Sequence, residues 1–252
     1  MQITRPLAVV LTATLLIAPA ALAQEQQDAD RQVVGTLLIA PAAVAQEQQD
    51  ADRKVVGGVT AKGWTGKEDA GNKQGLTVKD SKFADEAGGF RLTTGPAGLY
   101  WSNANKASGD FTVRATFTEA EQTFNHPHPF GVFIGGADLD SATPSALYCA
   151  AYRNGNYIVR MFSAGKRVDV VGKPVAHEAV KKAETPKSQV VQEVAWSVKG
   201  ASLQCMVNGT AVWTGTTADV TGAGKLPSTD GLVGIRVSHN SDALVTKFSL
   251  TK

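Results

Sequence analysis

The chain has 252 residues, 19% of them charged, a formal net charge of +2 and two cysteines. Basic residues are scattered, and the one cluster, Lys181-Lys182 with Lys187, has the look of a solvated face, so nucleic acid is not an expected partner. There is no Cys-x-x-Cys pair, no Cys/His zinc spacing, no Gly-x-Ser-x-Gly elbow and no glycine-rich phosphate loop, which sets aside the commonest zinc, serine-hydrolase and nucleotide chemistries.

The first element is an export signal. Met1-Gln-Ile-Thr-Arg5 is cationic, residues 7–23 are apolar, and Ala21-Leu22-Ala23 ends the run before Gln24-Glu25-Gln26-Gln27. A positive start, an apolar middle and a small-x-small exit describe a signal peptide over residues 1–23. Pro19 interrupts the run, which falls short of the ~20 apolar residues of a spanning helix, so a membrane anchor is the weaker reading. Residues 14–35 then recur as residues 36–57, differing only at Leu22/Val44 and Gln32/Lys54. A solenoid needs roughly three or more repeats. The second copy therefore reads as a tandem duplication, bringing a second exit, Ala43-Val44-Ala45. The mature chain is expected to begin at Gln24 or Gln46, secreted or periplasmic and without a membrane span. Residues 24–56 are read as a duplicated signal-like and disordered leader, whose Gln/Glu/Asp/Ala-rich segment to about Arg53 lacks the apolar residues to offset its ordering entropy.

Residues 57–252 are long enough for one domain with a real core. Leu76-Thr-Val78 and Phe90-Arg-Leu92 read as short strands, and Leu99-Tyr-Trp101 follows a Gly-Pro turn. Phe111, Val113, Ala115 and Phe117 alternate with Thr112, Arg114, Thr116 and Thr118, a period of two with one buried face. Residues 130–134, 146–152 and 157–162 continue the pattern, the last two joined by Arg153-Asn154-Gly155-Asn156, a strong hairpin signal. Val194, Trp196 and Val198 alternate next. Asn208-Gly209 joins residues 203–207 to 211–213, and that hairpin reading is preferred for Asn208-Gly-Thr210 over a glycosylation sequon. Residues 231–238 and 243–250 close the chain. Residues 175–184 form the one helical-looking stretch, inside a long connection. Roughly ten to twelve short strands with almost no helix predict an all-β sandwich or barrel.

Val194-Ala-Trp-Ser-Val-Lys-Gly200, the run to Val207-Asn208-Gly209 and Gly231-Leu-Val-Gly234-Ile-Arg-Val together resemble the end of a concanavalin A-like lectin/glucanase domain. Gly63-Trp64, Gly109-Asp110-Phe111-Thr-Val-Arg114 and Phe130-Gly131-Val-Phe133 are similar to the bacterial 3-keto-disaccharide hydrolase domain of that superfamily. The resemblance covers residues 57–252. It implies a two-sheet jelly-roll sandwich with a sugar ligand, and in an enzyme a glycoside hydrolase. The segment His128-Pro129-Phe130-Gly131-Val-Phe133-Ile-Gly135 departs from the family pattern, which carries Asn-Ser-Gly before the strand and an Arg after it.

A glycosidase needs two carboxyl groups across the scissile bond. Glu119-Ala120-Glu121 is the nearest candidate, with two carboxylates on one strand face about 6–7 Å apart, although solvated acids at a strand end are the commoner meaning. His126-Pro127-His128 could serve proton transfer or bind a metal, against the plainer reading of a surface loop. Asp138 and Asp140 supply two of the six or more oxygens that calcium takes, so calcium is the weak candidate and no cofactor is expected. Cys149 and Cys205 sit at apolar-facing strand positions and read either as one disulfide or as two buried thiols.

If Leu147, Cys149 and Ala151 face the core, Tyr148, Ala150 and Tyr152 face away. Likewise Tyr157, Val159 and Met161 turn in, while Ile158, Arg160 and Phe162 turn out. Aromatics and arginines on one outer face suit sugar rings and hydroxyls. A covering loop would instead make them a second core layer. The sequence therefore predicts an exported carbohydrate-binding jelly roll with sugar on its concave sheet, at Tyr148, Tyr152, Arg160 and Arg114, with His126 and His128 at the rim. A 3-keto-disaccharide-type hydrolase and an envelope interaction domain without a sugar are the alternatives.

Overall fold

Among the described residues, apolar side chains spaced two apart become the buried faces of strands. The structure, a computed structural model, describes residues 51–71, 74–86 and 88–252. The expected signal peptide and all but the end of the expected leader lie outside the described residues. In chain order the strands are β1 (Gly58–Val59), β2 (Thr65–Glu68), β3 (Lys82–Glu86), β4 (Gly89–Thr93), β5 (Gly98–Ala107) and β6 (Phe111–Glu119). Next come β7 (Phe130–Ala137), β8 (Ser145–Ala151), β9 (Asn156–Ser163), β10 (Lys166–Asp169) and β11 (Val175–Ala176). The chain closes with β12 (Val190–Lys199), β13 (Ser202–Val207), β14 (Thr210–Thr216), β15 (Gly231–Val237) and β16 (Asp242–Thr251).

These strands form two sheets. The first runs β1-β3-β4-β16-β6-β12-β13-β14 and the second β10-β9-β8-β7-β15-β5-β2, with β11 also on β9. The core lies between them. Phe111, Val113, Ala115 and Phe117 of β6 and Val194, Trp196 and Val198 of β12 meet Leu147, Cys149 and Ala151 of β8 and Tyr157, Val159 and Met161 of β9. Trp196 is sealed here, edge-on to Trp213 at 5.8 Å between ring centroids. Each large apolar side chain so buried contributes about 1.5–3 kcal/mol. Cys149 on β8 and Cys205 on β13 are joined in a disulfide with Cα atoms 5.6 Å apart, a covalent tie between the two sheets.

Three local expectations change. Leu76-Thr-Val78 is not a strand. Thr77 accepts a hydrogen bond from the Lys79 N–H at 3.2 Å and Asp80 accepts one from the Thr77 N–H at 2.9 Å, a capping box that starts a 3-10 turn at Val78–Asp80. Residues 175–184 are not helical. Side chains from the first sheet capture their backbone: Gln192 accepts from the Lys181 N–H and donates to its carbonyl, and Asn208 donates to the Ala179 carbonyl at 2.7 Å. Residues 51–56, assigned by composition to the leader, hold on to the domain through polar contacts that a hydrophobic pattern does not display. The Arg53 guanidinium donates to the carbonyls of Thr94 and Ser241 at 2.8 and 2.6 Å, and the Val55 N–H to the Asp80 carbonyl at 3.0 Å.

Candidate functional site

The β8–β9 ladder fixes the outer face of the second sheet. Tyr148 pairs directly with Arg160, and Ala151 with Tyr157. The loop between them carries its one left-handed residue at Gly155 (φ 92°), the position where a three-residue hairpin needs glycine. This register turns Tyr148, Ala150, Ile158 and Phe162 outward, as the alternation predicts, and a slip of one residue would have reversed them.

That face is neither an open platform nor a sealed layer. Leu99, Trp101, Phe133 and Ala146 pack with Leu139 as a second apolar cluster. Beside them Tyr148, Arg160, Arg236, Ser238 and His239 line two adjoining cavities of about 540 and 210 Å³. The larger adds Asp69, Phe162 and Arg167, and the smaller adds His126, His128, Ala150 and Tyr152. Tyr148 is only 4% exposed, so it forms a wall rather than a free stacking surface. Gly131 lies opposite Ala150 in the ladder, and a Cβ there would run into the Cys149 carbonyl, so these two small residues keep the floor low.

Cations dominate the floor, and each is paired. Arg236 comes from β15, where Val233, Ile235 and Val237 face the core and leave it pointing out. It meets Asp69 with two parallel hydrogen bonds of 2.7 and 2.6 Å and lies 5.1 Å over the Tyr148 ring and 5.5 Å over Phe162. Burial disfavours its charge, but Asp69 and Tyr148 outweigh that and leave its pKa raised. Arg160 reaches Asp169 at 2.6 Å.

Three imidazoles crowd the end of the smaller cavity. His126 Nε2 and His128 Nε2 are 3.0 Å apart, and the His239 ring centroid lies 4.3 Å from that of His128. His239 Nδ1 bonds Asp52 at 2.7 Å and His126 Nδ1 bonds the Asn125 side chain at 2.6 Å. Burial, then the neighbouring His239 and His126, push His128 down to about 3 against a backbone hydrogen bond at Asn240, so the ring is neutral at ordinary pH. One ring nitrogen from each histidine lies within 4.8 Å of the others, and among the described residues this is the one His/Cys/Asp/Glu group arranged as a ligand set.

No family model and no curated protein sequence matches the chain. Solved structures do. The carbohydrate binding module CBM66 from Bacillus subtilis is similar at a TM-score of 0.52 with 11% identity, over 78% of this chain and 99% of that one. A Bacillus subtilis protein of unknown function with a galectin-like fold is similar at 0.51 with 12% identity, over 75% and 89%. The fold is a galectin-like jelly roll.

The jelly roll brings together Tyr148, Tyr152, Arg160, His126 and His128, as the sequence suggests, but not Arg114. That residue is on β6 in the other sheet, pairs Ala195 and Ser249, and faces Glu193 at 3.7 Å, because Phe111, Val113 and Ala115 take the inward positions of its strand. The paired carboxylates do not hold as a pair either. Glu119 is buried against Arg153 at 3.5 Å, while Glu121 is exposed beyond the strand end. Asp138 and Asp140 are exposed, and among the described residues no third acidic or histidine ligand joins them. Sequence reasoning missed Arg236, Asp69, His239 and Asp52. Arg236 was legible from the alternation of β15. The others come from loops and the N-terminal segment, where no period marks them.

Proposed function

We propose that this domain binds carbohydrate in the groove on the outer face of its second sheet, and that it does so after export. The observation that carries the reading is the groove itself. Tyr152 offers ring surface to the apolar C–H face of a sugar, Tyr148 and Phe162 wall the groove, and Arg160, Arg236 and Ser238 offer donors to its hydroxyls, within adjoining cavities large enough for a few sugar rings. The similarity to a carbohydrate binding module supports the same direction. The disulfide, together with the Ala-x-Ala exits, supports an oxidising compartment outside the cytoplasm.

A glycoside hydrolase of the 3-keto-disaccharide type is the second reading. The family resemblance and the carboxylates around the groove, Asp52, Asp69 and Asp169, favour it. Asp69 and Asp169 already hold the Arg236 and Arg160 guanidinium groups, and Asp52 holds the His239 ring, which suits orientation better than proton transfer.

A glycan-array screen of the mature protein, followed by titration of the best ligand, tests the binding reading. Tyr152→Ala is expected to weaken binding by about 1–3 kcal/mol, the scale of losing a stacking aromatic, with the melting transition retained. Equal affinities for the variant and the wild type would overturn the assignment. A sugar-release assay on the same ligand separates binder from hydrolase, and an empty array would favour an envelope interaction domain without a sugar.

A further inference from the structure

We propose that His126, His128 and His239 form a binding site for one divalent transition-metal ion of the zinc class, with an open coordination position facing the smaller cavity. Three features of the cluster argue for it independently of any sugar.

The first is convergence. Two of the rings sit two residues apart on the loop before β7 and the third arrives after β15, yet their ligand nitrogens gather within 4.8 Å. A tetrahedral ion with metal–nitrogen bonds of about 2.0–2.1 Å needs its ligand atoms roughly 3.4 Å apart, a distance that small ring rotations reach from here. The 3.0 Å between His126 Nε2 and His128 Nε2 is already close to that spacing.

The second is the outer ring of partners. A metal-bound imidazole typically donates its other N–H to a carboxylate or carbonyl oxygen, which fixes the tautomer and turns the free lone pair toward the ion. His239 has Asp52 on Nδ1 at 2.7 Å, and His126 has the Asn125 side-chain oxygen on Nδ1 at 2.6 Å, leaving Nε2 of each as the ligand atom. His128 has a backbone hydrogen bond at Asn240 as its further partner. His126 Nε2 and His128 Nε2 already share a hydrogen bond of 3.0 Å, so one proton lies between two nitrogens that both point at the same spot. A metal ion would take the place of that shared proton.

The third is chemistry and access. Three neutral nitrogen donors select zinc, nickel, copper or cobalt over calcium and magnesium, which prefer oxygen. A fourth protein ligand would close the site. Here the remaining direction opens on the cavity lined by Tyr148, Tyr152, Arg160 and Arg236, which leaves room for water or for an oxygen of a bound ligand.

The test uses the full mature chain without an added histidine tag, stripped by a chelator and titrated with zinc against a chromogenic competitor. Cobalt(II) serves in parallel as a visible-absorption probe. Wild type is expected to bind one equivalent saturably and to give the intense visible bands of a four- or five-coordinate cobalt site. His126→Ala and His239→Ala should each weaken zinc by about a hundredfold or more, and Asp52→Asn by roughly ten- to a hundredfold. His177→Ala should leave binding unchanged, since His177 lies elsewhere, with Nδ1 accepting from the Ala179 N–H at 3.1 Å. His126 is exposed on its loop, so its variant folds whatever the role of the ring. Absence of saturable binding to folded wild type would overturn the site, as would equal zinc affinity in wild type and the His126 and His239 variants, or an equal loss in His177→Ala.

Discussion

Arg236 sits under the groove, 7% exposed, with Asp69 as its carboxylate partner. A buried cation deprived of its partner typically costs 3–5 kcal/mol. Asp69 has 27% of its side chain exposed, so water would take over part of its role. Asp69→Asn is therefore expected to cost about 2 kcal/mol in a urea titration, with Arg236→Met costing less, because that change removes the charge along with its need for a partner. Equal losses for the two variants would contradict the assignment. At this scale the sequence was readable wherever a residue obeyed a strand period. Tyr148, Arg160 and Phe162 were placed on their face from spacing alone. His239 and Asp52 could not be, because their contact joins residues 187 apart in the chain and only the finished topology brings them together.

Strands and hairpins were legible because alternation and Asn-Gly turns are local rules. Asn208 and Gly209 indeed both adopt the left-handed region (φ 51° and 82°) that a two-residue hairpin requires. The connection from β9 to β12 was not legible, since its conformation is imposed by Gln192, a fully buried amide on β12. Gln192 bonds the Lys181 N–H, the Lys181 carbonyl and the Asn208 amide at 3.0, 2.9 and 2.9 Å. Gln192→Leu strands those three groups and is expected to lower stability by about 2–4 kcal/mol, measured by thermal melting.

The end of β6 carries a pH dependence. Burial raises Glu119 from 4.5 to about 7, despite the opposing pull of Arg153. A carboxyl whose folded pKa is raised binds its proton more tightly when folded. Its contribution is complete below pH 4.5 and is lost as pH climbs through 7. Relative to Glu119→Gln, wild type should therefore lose up to about 3 kcal/mol between pH 4.5 and 8. A difference that stays flat, or grows in the other direction, would show that the ion pair with Arg153 dominates.

For the molecule as a whole, the disulfide is a side-chain cross-link between the sheets. It closes a loop with a sequence separation of 56 residues, which chain entropy values at about 4 kcal/mol. Replacing both cysteines by alanine should lower the melting temperature without changing the strand content seen by circular dichroism. Because Cys149 lies between Tyr148 and Ala150 on the strand that floors the groove, ligand affinity should fall as well.

The hold of Arg53 and Val55 on the domain bears on where the gene should be cut for expression. The domain expected from sequence begins at Gly57, and a clone opened there would discard Asp52 with them. Such a shortened protein should keep both sheets yet melt as if about 3 kcal/mol had been removed, since two charge-assisted hydrogen bonds and a backbone bond go with the missing residues. His239 would lose the carboxylate that aims it. A screen of that clone could then report an inert β-sandwich, its failure written into the choice of primer.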